Sequence, residues 1–205
     1  MNFMKKVLLI LTMVILSCNS KPAKTEMELT AIDTTATTGQ VIESKKDQKK
    51  AKELSQFFEV KKDEFESIEW VKPKSAPNYA NYNALYCYFA INEGMPNNFR
   101  FVFQYVNDDW LFIENAKFLI DGKVFDYYPS EVKKDNGGGE IWEWWDQQVT
   151  DSDLPLLRAI SECKSAKVKL NGSQYYEVVN ITSKQKLNVK RSLDYYESLG
   201  GTFDL

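Results

Sequence analysis

Two stretches in the middle of the chain show the two-residue period of a β-strand. In residues 84–92 and 99–106, every second position is apolar or aromatic: Leu85, Cys87, Phe89 and Ile91, then Phe99, Phe101, Phe103 and Tyr105. Successive residues of a β-strand point to opposite faces of a sheet, so each stretch predicts a strand with one core-facing side. Gly, Pro and Asn residues lie between the two stretches and predict a turn. The pair therefore predicts neighbouring antiparallel strands.

Further short β-prone runs follow at similar spacing. They cover residues 65–70, 110–120, 123–128, 141–149, 167–170 and 175–181. Asp121-Gly122 is a two-residue hairpin signal between two of these runs. Several short strands with turn signals every 8–12 residues are typical of a β-sandwich or half-barrel.

Three segments carry helical signals. Residues 43–58 have apolar side chains at helical spacing, and Pro155 follows two residues that can cap a helix at 151 and 152. Thr182 and Gln185 form the capping-box pattern, and Gly200 and Gly201 predict the end of that last helix. The chain is therefore expected to be mainly β with two or three helices, an antiparallel sandwich or half-barrel with a C-terminal helix packed on it.

The N-terminus has the layout of a secretory signal. Lys5 and Lys6 precede an apolar run over residues 7–16, and Ser17-Cys18 follow. Ten helical residues rise about 15 Å, half of a bilayer core of about 30 Å, which disfavours a membrane-spanning helix. Ile15-Leu16-Ser17-Cys18 resembles the lipobox of bacterial lipoproteins. The resemblance implies that Cys18 carries a diacylglyceryl thioether. It also implies the outer membrane, because Asn19 replaces the aspartate that often retains lipoproteins at an inner membrane.

The predicted organisation has three parts. Residues 1–17 form the signal peptide, and residues 18–42, rich in Thr, Ala and Lys without an apolar period, form a flexible tether. Residues 43–205 form a single globular domain, with a leading helix at 43–58 and a β-rich core at 65–205. Within that domain, segments 110–113, 136–142 and 181–186 are similar to small secreted domains of uncharacterised type carried by bacterial lipoproteins. That resemblance implies no catalytic residue.

Charge and composition exclude several classes of function. The chain has 26 basic and 29 acidic residues, a net charge of −3, which becomes −5 when the signal and its two lysines are removed. This acidic balance argues against a nucleic-acid partner. The chain has no histidine, which excludes Ser-His-Asp and Cys-His catalysis and histidine-ligated zinc. Carboxylate chemistry and calcium binding through oxygen stay open, but the sequence predicts no metal site and no cofactor.

A tryptophan-rich strand provides the candidate ligand-binding residues. Trp142 and Trp144 share one predicted face, and Glu143 and Trp145 share the other. Exposed indole rings beside carboxylates and asparagines are suited to stacking on sugar rings. The alternative, which the sequence favours, is that these tryptophans build the core, since aromatic side chains supply much of its area.

Other residues leave alternatives open. The glycine-rich loop 135–140 could approach a ligand closely or simply connect a hairpin. Cys87 and Cys163 could form a disulfide in an oxidising compartment, or each could be a small buried apolar residue. Five carboxylates could lie together at one end of the sheet, where they could hydrolyse a glycosidic bond or bind calcium. Alternatively, each could only hydrogen-bond the backbone of its own turn. These residues are Asp108, Asp109, Glu114, Asp121 and Asp126.

The expected function is that of a lipid-anchored, extracytoplasmic binding or interaction module of the bacterial cell envelope. Its partners would be the membrane, through the lipid anchor, and an envelope protein or a glycan. The sequence identifies no catalytic residue and favours binding over catalysis. Two alternatives are a glycan-binding module that uses exposed tryptophans and a carboxylate-dependent hydrolase.

Overall fold

The computed structural model describes residues 46–203. Within this range the chain forms ten strands and three helices. In chain order they are α1 (Gln48–Ser55), β1 (Phe58–Asp63), β2 (Ile68–Pro73), β3 (Ala84–Asn92), β4 (Met95–Asn107), β5 (Ile113–Ile120), β6 (Lys123–Tyr127), β7 (Lys133–Gly137), β8 (Glu140–Gln148), α2 (Leu154–Glu162), β9 (Ala166–Gly172), β10 (Tyr176–Asn180) and α3 (Ser183–Ser198).

The strands form two open sheets. One has six strands in the order β1-β2-β3-β4-β8-β7, and the other has four in the order β10-β9-β5-β6. All neighbouring strands are antiparallel. The prediction of a mainly β fold with two or three helices and an antiparallel sandwich or half-barrel is therefore confirmed.

The alternating stretches build the core as predicted. Leu85, Cys87 and Phe89 of β3 are buried in one cluster with Phe101 and Phe103 of β4. Each of these residues lies on the inner face of the six-stranded sheet because the side chains of a strand alternate between faces. Strands β1, β2 and β8 of the same sheet, the four-stranded sheet, the helices and three loop residues also contribute to this cluster. Both Cys87 and Cys163 are free thiols, so the disulfide considered above does not form.

The C-terminal helix α3 packs on β3, α1 and α2. Its N-terminus has the predicted capping box: the Thr182 side chain accepts from the Gln185 backbone N–H, and the Gln185 side chain accepts from the Thr182 backbone N–H. On its buried face, the Ser192 hydroxyl donates a hydrogen bond of 2.9 Å to the Cys87 carbonyl. The rings of Tyr195 and Tyr196 lie 5.7 and 5.3 Å from the ring of Phe89.

Several segments differ from the sequence prediction. The strand predicted at 65–70 begins only at Ile68, and β4 already begins at Met95, inside the predicted turn. The leading helix was expected to run to residue 58, but α1 ends at Ser55 and Phe58 begins strand β1. Phe58 is buried opposite Pro73 of β2, 4.8 Å from the ring of Tyr195, so tertiary packing outweighs the helical spacing. The loop expected at 135–140 is also shorter, because Lys133–Gly137 pairs with β8 as a strand and only Gly138 and Gly139 turn the chain, both at positive φ.

Candidate functional site

Strand β8 divides the predicted site residues between the two faces of the six-stranded sheet. Trp145 is 0% exposed and lies in the core, with its ring stacked on Phe103 at 4.7 Å and tilted against Tyr127 at 5.4 Å. Trp142 and Trp144 are half-buried on the opposite face. The structure therefore brings two of the three candidate tryptophans to the surface, and Trp145 serves the core instead.

Glu143 is buried with Trp145 and has a structural task. Its carboxylate is 1% exposed and accepts three backbone N–H bonds, from Leu111 and Phe112 on Oε1 at 2.8 and 2.9 Å and from Ile113 on Oε2 at 2.8 Å. A carboxylate that accepts several backbone N–H groups is strongly held. Residues 110–113 form the segment called here the Glu143-bound loop. The Glu143 carboxylate is therefore hydrogen-bonded to backbone N–H groups, and it lies on the opposite face of the sheet from Trp142 and Trp144.

Trp142 and Trp144 line a groove of about 340 Å³. This tryptophan groove is completed by Asp135 of β7, which pairs with Trp142, and by the loop between β2 and β3. Its lining residues are Tyr79, Ala80, Asn81, Asp135, Trp142 and Trp144. The groove thus combines two indole rings and a phenol ring with a carboxylate and an amide, which are groups suited to a ligand that is both flat-faced and polar.

A polar network supports the same face of the sheet. Asp146 accepts from the Tyr88 hydroxyl and from Arg100 Nε, each at 2.7 Å, and its backbone carbonyl accepts from Arg100 Nη2 at 2.7 Å. Burial, together with the charge of Asp146 and the hydrogen bond to it, raises the pKa of the Tyr88 phenol well above its usual range. Asp146 is therefore occupied by two fixed donors and is not a free acid or base.

Gln104 adds an unsatisfied acceptor on this face. It lies opposite Trp144 in the register between β4 and β8 and is 5% exposed. Its Oε1 atom has no hydrogen-bond donor within residues 46–203. Buried acceptors without a donor are costly and uncommon, so this atom distinguishes the sheet beneath the groove from an ordinary packed surface.

The carboxylates that the sequence grouped do not come together. Asp121 accepts from the backbone N–H groups of Lys164 and Ser165 at the β5–β6 turn, and these bonds hold its pKa below the usual range. Asp126 pairs with Lys117 partway along β5. Asp109 lies before β5 and Asp121 lies after it, so the eight residues of that strand separate the two carboxylates. These groups form no joint acid/base site.

A second surface was not foreseen from the sequence. A cleft of about 630 Å³ opens where the Glu143-bound loop faces the hairpin between β9 and β10. This acidic cleft is lined by Tyr105, Asn107, Asp108, Asp109, Trp110, Leu111, Phe112, Tyr175 and Glu177. The available signal was the run Asp108-Asp109-Trp110, where an aromatic residue directly follows two carboxylates. The contribution of Tyr175 and Glu177 had no local signal because they lie more than sixty residues away in the chain.

The described part of the chain contains neither a membrane-spanning helix nor a metal-binding cluster. No helix among residues 46–203 is both long and apolar enough to cross a bilayer. The same residues contain no group of three or more Cys, Asp or Glu side chains placed to hold a metal ion. Cys18, the predicted site of lipidation, lies outside the described residues.

Comparison with known proteins finds no matching family model, no similar curated protein and no similar solved structure.

Proposed function

We propose that this protein is a lipid-anchored, extracytoplasmic binding module of the bacterial cell envelope, and that it binds a glycan in the tryptophan groove. The observation that carries the proposal is the pair Trp142 and Trp144, two half-buried indole rings on one strand face that line an open groove. The anchor is the lipidated Cys18, expected from the resemblance to the lipobox, with the outer membrane as the favoured location.

The chemistry of the groove fits a sugar polymer. The two indoles are spaced two residues apart on β8, about 7 Å along a strand, so each offers an apolar face to a different part of an extended ligand. Sugar rings have apolar C–H faces and polar hydroxyl edges. Asp135 and Asn81 supply acceptors and donors at the rim for such hydroxyls.

The carboxylates near the groove are hydrogen-bonded within the protein, which favours binding over hydrolysis. A glycoside hydrolase of the common type needs two carboxyl groups on either side of the bond that it cleaves. Glu143 is bonded to three backbone N–H groups on the other face of the sheet, and Asp146 is bonded to Tyr88 and Arg100. Asp135 is then the one carboxylate among the residues lining the groove.

Glycan binding is tested with the full-length protein in a detergent that carries no sugar headgroup. The probes are soluble oligosaccharides of cellulose, chitin, xylan and mannan, and binding is measured by calorimetry. We expect Trp142→Ala and Trp144→Ala each to weaken binding at least about ten-fold, because each change removes the apolar indole face against which a sugar ring is buried. Trp70→Ala is the matched control, since Trp70 is half-buried on the same sheet but does not line the groove. Equal affinity in the Trp142→Ala/Trp144→Ala double variant, or no binding of any of the four oligosaccharides, would contradict the proposal.

The anchor is tested separately with Cys18→Ala. We expect this variant to incorporate no fatty-acid label in cells and to leave the membrane fraction, because two or more acyl chains are needed for durable attachment. Cys163→Ala is the control and should be labelled like the wild type. Normal labelling of Cys18→Ala would refute lipidation without affecting the glycan proposal.

A protein partner remains the second candidate, and one surface favours it. The outer face of the four-stranded sheet has a shallow apolar pocket of about 270 Å³ formed by Leu119, Val124 and Val178. Lysines surround it at positions 117, 167 and 169. An exposed apolar patch with a polar rim is typical of a protein–protein contact. Loss of a crosslinked complex in Val178→Asp, but not in Trp144→Ala, would support this second candidate.

A further inference from the structure

The acidic cleft is a second binding surface, on the opposite face of β8 from the tryptophan groove. Its volume of about 630 Å³ lies within the range of about 300–1,000 Å³ that small-molecule sites usually have. One wall is the Glu143-bound loop, and the other is the hairpin that presents Tyr175 and Glu177.

The Glu143-bound loop is built against its own conformational preference. Phe112 has a φ of 54°, in the left-handed region that a non-glycine residue adopts only at a cost. The three N–H bonds to Glu143 offset that cost. On the other side, Gly172 admits the Leu111 carbonyl so closely that a Cβ atom there would lie 1.9 Å from its oxygen. The loop is therefore fixed by two remote residues, one on each side.

The result of this construction is an aromatic wall. The rings of Trp110 and Phe112 stack at 5.7 Å with an angle of 19° between their planes. Tyr105 lies beside them on β4, and Tyr175, 70% exposed, closes the cleft from the hairpin. The Phe112 ring already receives a cation, because the Lys134 ammonium lies 4.9 Å from its centroid. Aromatic faces attract cations through their quadrupole, and tryptophan does so best.

The cleft is also negative. Asp108, Asp109 and Glu177 line it, whereas the Lys134 ammonium lies against the Phe112 ring but is not among the lining residues. Within residues 46–203 none of these three carboxylates has a side-chain hydrogen bond or an ion-pair partner. Burial raises the pKa of Tyr105, and the charges of Glu177 and Glu143 raise it further against an opposing hydrogen bond from Asn107. The negative field therefore extends to the inner wall of the cleft.

We propose that the acidic cleft binds a small organic cation, an alkylammonium or quaternary ammonium compound. Such a cation is weakly hydrated for its size, so it loses little hydration free energy when it contacts the aromatic wall. The unpaired carboxylates balance its charge. Trp110 and Tyr175 contact the alkyl groups, and Asp108, Asp109 and Glu177 balance the charge. Glu143 acts as a positioning residue that holds Trp110 and Phe112 in place. This proposal goes beyond the glycan proposal and does not depend on it.

The test compares two probes of the same shape on the full-length protein. Choline carries a quaternary ammonium, and 3,3-dimethylbutan-1-ol is its neutral isostere. We expect choline to shift the indole N–H signal of Trp110 in NMR spectra, and the neutral alcohol to bind at least about five-fold more weakly because it lacks the cation–π and charge terms. Added salt should weaken choline binding, since exposed carboxylates are screened.

Three variants separate the contributions. Trp110→Leu, and separately the triple change Asp108→Asn, Asp109→Asn and Glu177→Gln, should each weaken choline binding at least about five-fold. Trp70→Leu is the control and should bind choline like the wild type, because Trp70 lies outside the cleft. Glu143→Gln should weaken choline binding and also speed amide hydrogen exchange at Leu111 and Ile113, which a residue without a positioning role would not do.

Several outcomes would overturn the proposal. Equal affinity for choline and the neutral alcohol would show that the cleft is an apolar site with no preference for a cation. Unchanged choline binding in the triple carboxylate variant would show that the three carboxylates do not contribute to binding. Binding of a lysine-containing pentapeptide without binding of choline would identify a peptide site instead. None of these results alters the oligosaccharide experiment, because its groove lies on the other face of the sheet.

Discussion

The tryptophan groove and the acidic cleft both depend on strand β8 but are built in different ways. The indoles of the groove project from a strand whose backbone pairs with β4 on one side and β7 on the other. Trp110 and Phe112 of the cleft lie outside any strand and depend on Glu143 and Gly172 for their position. A sheet-borne site should therefore tolerate changes around it, whereas a loop-borne site should fail when a distant support is changed.

The largest effect is expected from the core that lies beneath both surfaces. Trp145→Ala should lower the free energy of unfolding by about 3–5 kcal/mol, because it leaves a cavity beside Phe103 and Tyr127. Trp144→Ala, one residue away on the other face, should cost less than about 1 kcal/mol. Denaturant unfolding of both variants measures the contrast, and similar losses would contradict the division of β8 into a core face and a surface face.

The same substitution at two glycines compares the two sites directly. Gly172→Ala should cost about 3 kcal/mol, because the new Cβ would meet the Leu111 carbonyl oxygen at 1.9 Å and backbone would have to move. Gly137→Ala should change stability by no more than about 0.5 kcal/mol, since its Cβ would meet only the tip of the Trp142 ring, at 3.2 Å. Thermal and denaturant unfolding measure both. A tolerated Gly172→Ala would show that the Glu143-bound loop can shift freely.

The third prediction concerns the carboxylate that supports the cleft. Glu143→Gln should cost about 2 kcal/mol, because an amide group places donors where backbone N–H groups need an acceptor. The loss should appear locally, as faster hydrogen exchange at residues 111–113 with unchanged exchange in β7. Uniform acceleration across the whole sheet would mean that Glu143 supports the fold in general and not one loop.

The smallest effect is expected in the pH dependence of stability, which should differ between tyrosines on the two faces of the six-stranded sheet. The folded pKa of Tyr88 and of Tyr105 is raised above the ordinary value of 10.0, so the unfolded chain loses these protons first. Their contribution to stability is complete below pH 10.0 and falls as the pH rises above it. At Tyr88, burial and the charge of Asp146 raise the pKa strongly, and Arg100 opposes them only in part. At Tyr105, burial raises the pKa less far, and the Asn107 hydrogen bond opposes the rise. Tyr88→Phe should therefore flatten the alkaline decline more than Tyr105→Phe, as measured by urea unfolding between pH 8 and pH 11.

Much of the fold was predictable because local patterns and tertiary packing agree. The alternation in β3 and β4 fixes which side chains face the core, and the capping box at Thr182 fixes where α3 begins. Strand β7 was missed for a physical reason: its residues are all exposed, so no apolar alternation marks it, and only pairing with β8 makes it a strand. Phe58 was misassigned because its partner Pro73 is set by tertiary pairing.

The candidate sites were predictable only in part. Alternation along β8 correctly separated Trp142 and Trp144 from Glu143 and Trp145. It did not reveal that Glu143 binds the backbone of residues some thirty positions earlier, because a carboxylate gives no sequence signal of which N–H groups it will meet. The left-handed Phe112 was equally hidden, since no glycine marks the position.

The polar edge strand β7 affects whether neighbouring copies of the protein can associate through their sheets. The outer edge of a sheet has unpaired N–H and C=O groups that can recruit a strand from another copy of the protein. In β7 this edge carries Lys133, Lys134 and Asp135, and all five of its residues are exposed. Charged edges disfavour such recruitment, so copies concentrated on a two-dimensional surface would stay separate along this border and would not polymerise into a continuous ribbon.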